Sequence, residues 1–228
     1  MADCDGFVAV REATVRYGRR VALEAVTGEF ASGSLTAVIG ANGAGKSTLL
    51  AAIAGVIPLA GGTVQRPPRQ RVGYLPQQAT IDRDYPITIA ELIALGGWAE
   101  FGAFRAPPAG LRARAAAAAA TVGLTDRLQR QIAEASAGEL QRALFARLIL
   151  QDPALILLDE PFAPIDAATT AALLAQVMRW HGEGRTVVAV LHDLELVQAL
   201  FPETVVLARR CLAWGPTAMA LPALAEAA

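Results

Sequence analysis

One run limits what this chain can fold into: Gly40-Ala41-Asn42-Gly43-Ala44-Gly45-Lys46-Ser47-Thr48. It fits G-x-x-x-x-G-K-S, a loop that wraps a phosphate chain, and that loop works only between a strand and a helix. The flanks comply. Leu35-Thr36-Ala37-Val38-Ile39 reads as a buried strand, and Leu49-Leu50-Ala51-Ala52-Ile53-Ala54 reads as a helix. The residue types follow from the anion. Backbone N–H groups must crowd around several negative charges, and glycines permit the close approach and the backbone conformations this takes. The helix that opens near Lys46 aims its free N–H groups and positive dipole end at the same place. Lys46 can reach the outer phosphates, and the Ser47 hydroxyl can ligate Mg2+.

The chain has 228 residues, enough for one large domain or a domain with an inserted arm. Hydrophobic residues make up 54 %, ample for a core, yet no run of eighteen apolar residues predicts a membrane span. The start, Met1-Ala2-Asp3-Cys4-Asp5-Gly6, has neither the basic nor the apolar part of a signal peptide. A net charge of −1 argues against a nucleic-acid partner held by bulk positive charge. Cys4 and Cys211 lie far apart with no metal-ligand spacing, which points to a reducing cytosol.

Ahead of the loop, Phe7–Val10, Ala13–Tyr17 and Thr27–Phe30 read as strands, with Gly18-Arg19-Arg20 and Ser32-Gly33-Ser34 as turns. Tyr17 is either a half-buried strand tyrosine or an aromatic face for a purine. After the first helix, Thr63–Gln65 and Arg71–Leu75 form two short strands around Pro67-Pro68. Gln77 follows a buried strand and a proline and reads as a functional loop residue. Between residues 81 and 130 the pattern turns helical, with Ile89–Leu95 and Leu111–Val122 as helices and breaks at Gly96-Gly97 and Pro107-Pro108. Because this stretch separates the loop from its partner strand, residues 81–151 are expected to form an inserted helical subdomain, with 1–80 and 152–228 as an α/β core in one domain.

Ser136-Ala137-Gly138-Glu139 opens a further helix with a capping box, and that free helix start suits a phosphate. Ala154–Leu158 is a continuous apolar run that ends in Asp159-Glu160-Pro161. Such a run marks a strand buried on both faces, and its carboxyl end is where open α/β sheets bind ligands. Asp159 suits Mg2+ shared with Ser47, and Glu160 suits a general base for attacking water. Asp166 caps a helix over Ala167–His181. A strand over Thr186–Leu191 delivers His192, which can donate to a terminal phosphate. His181 reads as a solvated helix end, and Thr204–Ala208 with Cys211–Trp214 as a closing hairpin.

Taken in order, these motifs resemble the ATP-binding subunits of ABC transporters over nearly the whole chain. The resemblance implies a P-loop NTPase core of α/β class, carrying an antiparallel β subdomain and an inserted α-helical subdomain. It implies that Tyr17 stacks on adenine, that residues 40–48 and Lys46 hold ATP, and that Gln77 senses the nucleotide and helps bind Mg2+ with Ser47 and Asp159. Glu160, His192, Gln77 and Lys46 become the catalytic residues and Asp166 the D-loop aspartate. Ser136, Ala137, Gly138 and Glu139 become the signature, acting across a head-to-tail dimer. The signature departs from the usual Leu-Ser-Gly-Gly, since Ala135 and Ala137 stand here, and Pro164-Ile165 replaces Ala-Leu before Asp166. Within the family, Tyr74-Leu75-Pro76-Gln77, Ile81–Thr88 and Gly138–Arg142 look like importers of zinc or manganese, with iron-chelate and cobalamin importers close by.

The resemblance also implies partners: an integral membrane permease, through it a metal-binding substrate-binding protein, and a place on the cytoplasmic face of the membrane. The expected permease contact is Asp82–Trp98, where Asp82, Arg83 and Asp84 form a charged rim and Tyr85, Ile87, Ile89, Leu92 and Trp98 are apolar anchors. Soluble ABC ATPases of repair or translation carry long coiled-coil insertions or a second cassette, and neither pattern is present.

Overall fold

A computed structural model describes residues 8–67, 70–77, 82–102, 108–162 and 166–227. Phe7, Pro68, Gln78, Ile81, Pro107, Pro164 and Ile165 therefore lie outside the described residues. The chain divides into two compact units. The first comprises Met1–Gln77, Ala154–Glu160 and Trp180–Ala228; the second comprises Gln78–Pro153 and Pro161–Arg179. The sequence reading drew its boundaries at 80/81 and 151/152. The segment from Pro161 to Arg179, which that reading left with the core, groups with the helical unit.

The first unit holds two sheets. An antiparallel one has the order β2-β1-β4, from β1 (Val8–Tyr17), β2 (Arg20–Phe30) and β4 (Gly61–Gln65). The sequence reading split β1 in two and began β2 seven residues late, and irregular register explains both. Glu12 and Ala25 take positive φ (50° and 47°), and the register shifts between Val10 and Ala13 and again beyond it. Each bulge breaks the two-residue alternation that marks a strand in sequence. Side-chain hydroxyls repair the ladder there, with Glu12 N–H donating to Thr27 Oγ1 (2.9 Å) and Ala25 N–H to Thr14 Oγ1 (3.0 Å).

The second sheet has six strands in the order β5-β6-β7-β3-β8-β9. These are β3 (Leu35–Ile39), β5 (Val72–Leu75), β6 (Leu155–Asp159), β7 (Thr186–Val190), β8 (Glu203–Ala208) and β9 (Arg210–Pro216), all parallel but the last. The two short strands beside Pro67 thus join different sheets. Every residue of β3, β6 and β7 is buried, as expected of parallel strands covered on both faces. One core joins Val10, Leu23 and Phe30 to Leu49, Leu50 and Ile53 of helix α1 (Lys46–Ala54) and to Val38, Leu157, Val188 and Val205. Each such buried side chain contributes about 1.5–3 kcal/mol. His181, expected in solvent, is half-buried with its Nδ1 3.0 Å from the Gly33 carbonyl oxygen. The turn that leads from it into β7 carries it to the turn before β3, where Gly33 N–H also meets Thr186 Oγ1 at 3.0 Å.

The second unit is helical: α2 (Ile89–Ala94), α3 (Trp98–Phe101), α4 (Leu111–Thr121), α5 (Ala137–Gln151) and most of α6 (Ala167–Gly182). Residues 111, 115, 118 and 119 of α4 are buried while the remainder of the alanine tract is exposed. That spacing is one helical face, and its small side chains give alanine's helix propensity a packing use. Ile89 and Leu92 are 0 % and 2 % exposed, so they belong to this unit's core and cannot anchor a partner. Tyr85 and Trp98 remain in solvent at 61 % and 48 %. The first unit also holds α7 (Leu194–Leu200) and α8 (Thr217–Ala220). Among the described residues no helix is long and apolar enough to cross a membrane.

Candidate functional site

The loop is shaped by glycines placed where other residues do not fit. Gly40 leaves β3 with φ at 149°, and a β-carbon there would stand 2.2 Å from the Leu207 carbonyl oxygen. Gly45 has φ at 96° and starts α1, and a β-carbon on it would stand 2.6 Å from the Ala22 carbonyl oxygen. Between them Ala44 N–H donates to Ala41 O at 3.1 Å. The loop is tied down from outside by Arg209 N–H, which donates to Ala44 O at 2.8 Å. With glycine as N-cap, no side chain fills the first N–H groups of α1, and no acidic residue stands in its first turn. A helix start left in this state is an anion site.

Lys46 is only 5 % exposed, and its Nζ donates to Gly40 O (2.8 Å) and Ala41 O (3.1 Å). Burial pulls its pKa down, opposed by the charges of Glu160 and Asp159. Ser47, one residue on, donates from Oγ to Asp159 Oδ1 at 3.1 Å. Asp159 ends β6 and is 1 % exposed. Burial is the largest influence on its carboxyl and raises its pKa, while the Ser47 hydroxyl and the Gln77 backbone oppose it. Two hard oxygen donors in contact at a strand's carboxyl end match the chemistry of a Mg2+ site. Ser47 and Asp159 therefore fit that ion.

Glu160 follows with φ at 50°, an uncommon conformation for a residue with a β-carbon. Its backbone turn sends the carboxylate towards two neighbours. Gln77 Nε2 donates to Glu160 Oε2 at 2.7 Å, and His192 Nε2 lies 2.5 Å from Oε1. The strands β5, β6 and β7 end side by side, so parallel order alone brings Gln77, Glu160 and His192 together. The Gln77 side chain meets Glu160, and only its backbone meets Asp159.

A cleft of about 570 Å³ joins these parts, lined by Asn42, Gly43, Gly45, Lys46, Ser47 and Thr48, with Tyr17, Gln77 and Glu160. Tyr17 is 54 % exposed, so the half-buried strand reading gives way to an available ring face. Gly40, Ala41 and Ala44 are not among the residues that line the cleft; Ala41 is exposed and Ala44 is buried. Arg20 and Ala22 also line the cleft and were not singled out from sequence. The sequence pattern puts Arg20 in the turn, whereas it begins β2 as the cross-strand partner of Tyr17. That pairing across a two-residue turn was the signal that could have found it.

The signature residues belong to the second unit. Ser136 caps α5, accepting from Glu139 N–H at 3.1 Å while Glu139 Oε2 accepts from Ser136 N–H at 2.8 Å. Arg130 and Arg127 pair with the same Glu139 carboxylate. The Ser136 backbone hydrogen bond is the main reason its pKa is lowered. Ala137 is exposed at the first position of the helix, and Gly138 is half-buried behind it. Asp166 accepts from Thr169 N–H (3.0 Å) and Thr169 Oγ1 (2.8 Å), as an N-cap does.

A family model described as "ABC transporter" matches residues 23–163. The zinc transport system ATP-binding protein TroB of Treponema pallidum is 39 % identical over 214 residues, 91 % of this chain and 80 % of the relative. The manganese transport system ATP-binding protein MntB of Listeria monocytogenes is 37 % identical over 209 residues, covering 89 % and 87 %. A solved ATP-binding subunit of an ABC transporter superposes with a TM-score of 0.80 at 25 % identity, covering 92 % of this chain and 90 % of its own. The dimeric ATP-binding cassette MJ0796 with ADP and phosphate shares the fold, with a TM-score of 0.81 at 21 % identity over 92 % and 98 %. A nucleotide-binding loop between strand and helix, matched by a family model and by relatives over most of its length, means that this chain belongs to the ABC transporter family as an ATP-hydrolysing subunit.

Proposed function

We propose that this chain powers a membrane permease that imports a divalent transition metal, zinc or manganese. The observation that carries the reading is Glu160 held between Gln77 and His192 in the cleft that Lys46 lines. A carboxylate so placed suits a general base for water, and a positioned base is worth about 10²–10⁴ in rate. In the proposed mechanism, the loop N–H groups and the start of α1 bind the phosphates, Lys46 neutralises the outer ones, and Tyr17 stacks on the adenine. Glu160 takes the proton of the attacking water, and His192 steadies the terminal phosphate. Ser47 and Asp159, with Gln77, would hold Mg2+, which when bound would neutralise phosphate charge. Ser136, Ala137, Gly138 and Glu139 of a second copy would cover the nucleotide head to tail, with Asp166 beside them. Closing over ATP and opening after hydrolysis then gives a two-state switch.

The cargo and the location rest on the relatives. Proteins 39 % and 37 % identical to this chain are named for zinc and manganese transport systems. A subunit of this kind sits peripherally on the cytoplasmic face, bound to its permease, which in turn receives metal from a binding protein. The test has two arms. Glu160→Gln is expected to keep ATP binding and lose about 10²–10⁴ in turnover, and near-normal turnover in the assembled transporter would overturn the role. Cells lacking this chain should lose uptake of zinc or manganese and keep iron uptake; loss of iron uptake alone would overturn the cargo.

A further inference from the structure

Arg20 belongs to none of the motifs, yet it lines the same cleft as Lys46. Tyr17 and Arg20 face each other across the turn between β1 and β2, and directly opposed residues project from the same face of a hairpin. The guanidinium extends to the phosphate loop. Arg20 Nη2 lies 3.6 Å from where a β-carbon on Gly43 would stand. The side chain is exposed, and among the described residues it makes no hydrogen bond or ion pair. Arg11, Arg114, Arg130, Arg185 and Arg210, by contrast, all pair with carboxylates.

The charges around the cleft favour a ligand for this cation. Asp159 and Glu160 add negative charge next to a site meant for an anion. Lys46 is the buried cation there, and two of its three N–H groups already go to Gly40 O and Ala41 O. A nucleoside triphosphate brings several more negative charges than Lys46 can balance. A guanidinium presents a planar fork that meets two phosphate oxygens at once. We infer that Arg20 is a further nucleotide-binding residue, whose guanidinium grips the phosphate chain from the hairpin side while Tyr17 takes the base. The inference rests on the ATP reading of the cleft.

The experiment is ATP and ADP binding to the purified chain by calorimetry, with Arg20→Ala, Arg20→Gln, Arg20→Lys and Lys46→Ala, each checked by a melting curve. Arg20→Ala and Arg20→Gln are expected to weaken binding about 5–20-fold with an unchanged melting midpoint. Arg20→Lys should recover part of the loss. Binding by the wild type should also fall more steeply with added salt than binding by Arg20→Ala, because one phosphate contact is missing. Affinity within about twofold of wild type in Arg20→Ala or Arg20→Gln would overturn the inference. So would a loss that Arg20→Lys leaves untouched with an unaltered salt dependence. If Lys46→Ala abolishes binding and Arg20→Ala stays within about twofold of wild type, only Arg20's role fails; if Lys46→Ala binds normally, the ATP reading of the cleft fails.

Discussion

Asp159 holds a carboxylate where water hardly reaches, and the fold loses stability by it. Burial pushes its pKa up, ahead of the Ser47 hydroxyl, the Gln77 backbone and Lys46, which pull it down. The folded chain therefore binds this proton more tightly than the unfolded chain. The stability linked to that proton is complete below the unfolded carboxylate pKa and is lost as pH rises through the folded value. At neutral pH the ionised group is destabilising. Asp159→Asn removes the charge and keeps an oxygen for the Ser47 hydroxyl. We expect its nucleotide-free melting midpoint to exceed that of wild type at pH 7, with the gap closing as pH falls towards about 4. Melting curves across that range decide it, and a lower midpoint at pH 7 would show that the charge is fully compensated. The same variant should lose ATP turnover. Stability given up at one residue for chemistry is a common pattern in active sites.

At the scale of elements, α5 joins a structural cap to a proposed phosphate contact. The reciprocal hydrogen bonds of Ser136 and Glu139 satisfy two backbone N–H groups at its start, an arrangement worth about 1 kcal/mol. Arg127 and Arg130 offset the Glu139 charge that would otherwise oppose an anion there. Ala137 alone adds bulk on this exposed first turn. Ala137→Gly is expected to raise ATPase activity or ATP-driven dimerisation, even though glycine loosens a helix by roughly 0.5–1 kcal/mol relative to alanine. Slower turnover at saturating ATP would mean that the methyl group is a fitted part of the site.

At the scale of the whole molecule, no helix among the described residues is long and apolar enough to cross a membrane, so the proposed coupling to a permease would run through surface contact. Ile89 and Leu92, first read as anchors for a permease, are core residues of the helical unit, and truncating either would cost about 2–5 kcal/mol through packing alone. Tyr85 and Trp98 keep large apolar surface in solvent, and Tyr85 directly follows the exposed Asp82, Arg83 and Asp84. Tyr85→Ala should therefore leave the melting midpoint and the isolated ATPase activity nearly unchanged while lowering metal uptake several-fold through lost interface contacts. Co-purification with the permease measures this directly, and undiminished binding would locate the docking surface elsewhere.

The sequence by itself determined the chemistry. A glycine loop between an apolar run and a helix, and an apolar run ending in Asp159-Glu160, are local patterns, since chain connectivity alone sets the residues side by side. The helix starts at Ser136 and Asp166 were legible for the same reason: a cap acts within four residues. Tertiary structure decided what depends on distant pairing. Bulges at Glu12 and Ala25 hid the true extent of β1 and β2, because they break the alternation while hydroxyls from the partner strand keep the ladder joined. Gln77, Glu160 and His192 come from strands far apart in sequence, and only the order β5-β6-β7 makes them neighbours. Arg20 looked like a turn residue until its pairing with Tyr17 turned it towards the phosphate loop. The residue types were written in the chain; their meeting points came from sheet order and register, which no short window of sequence contains.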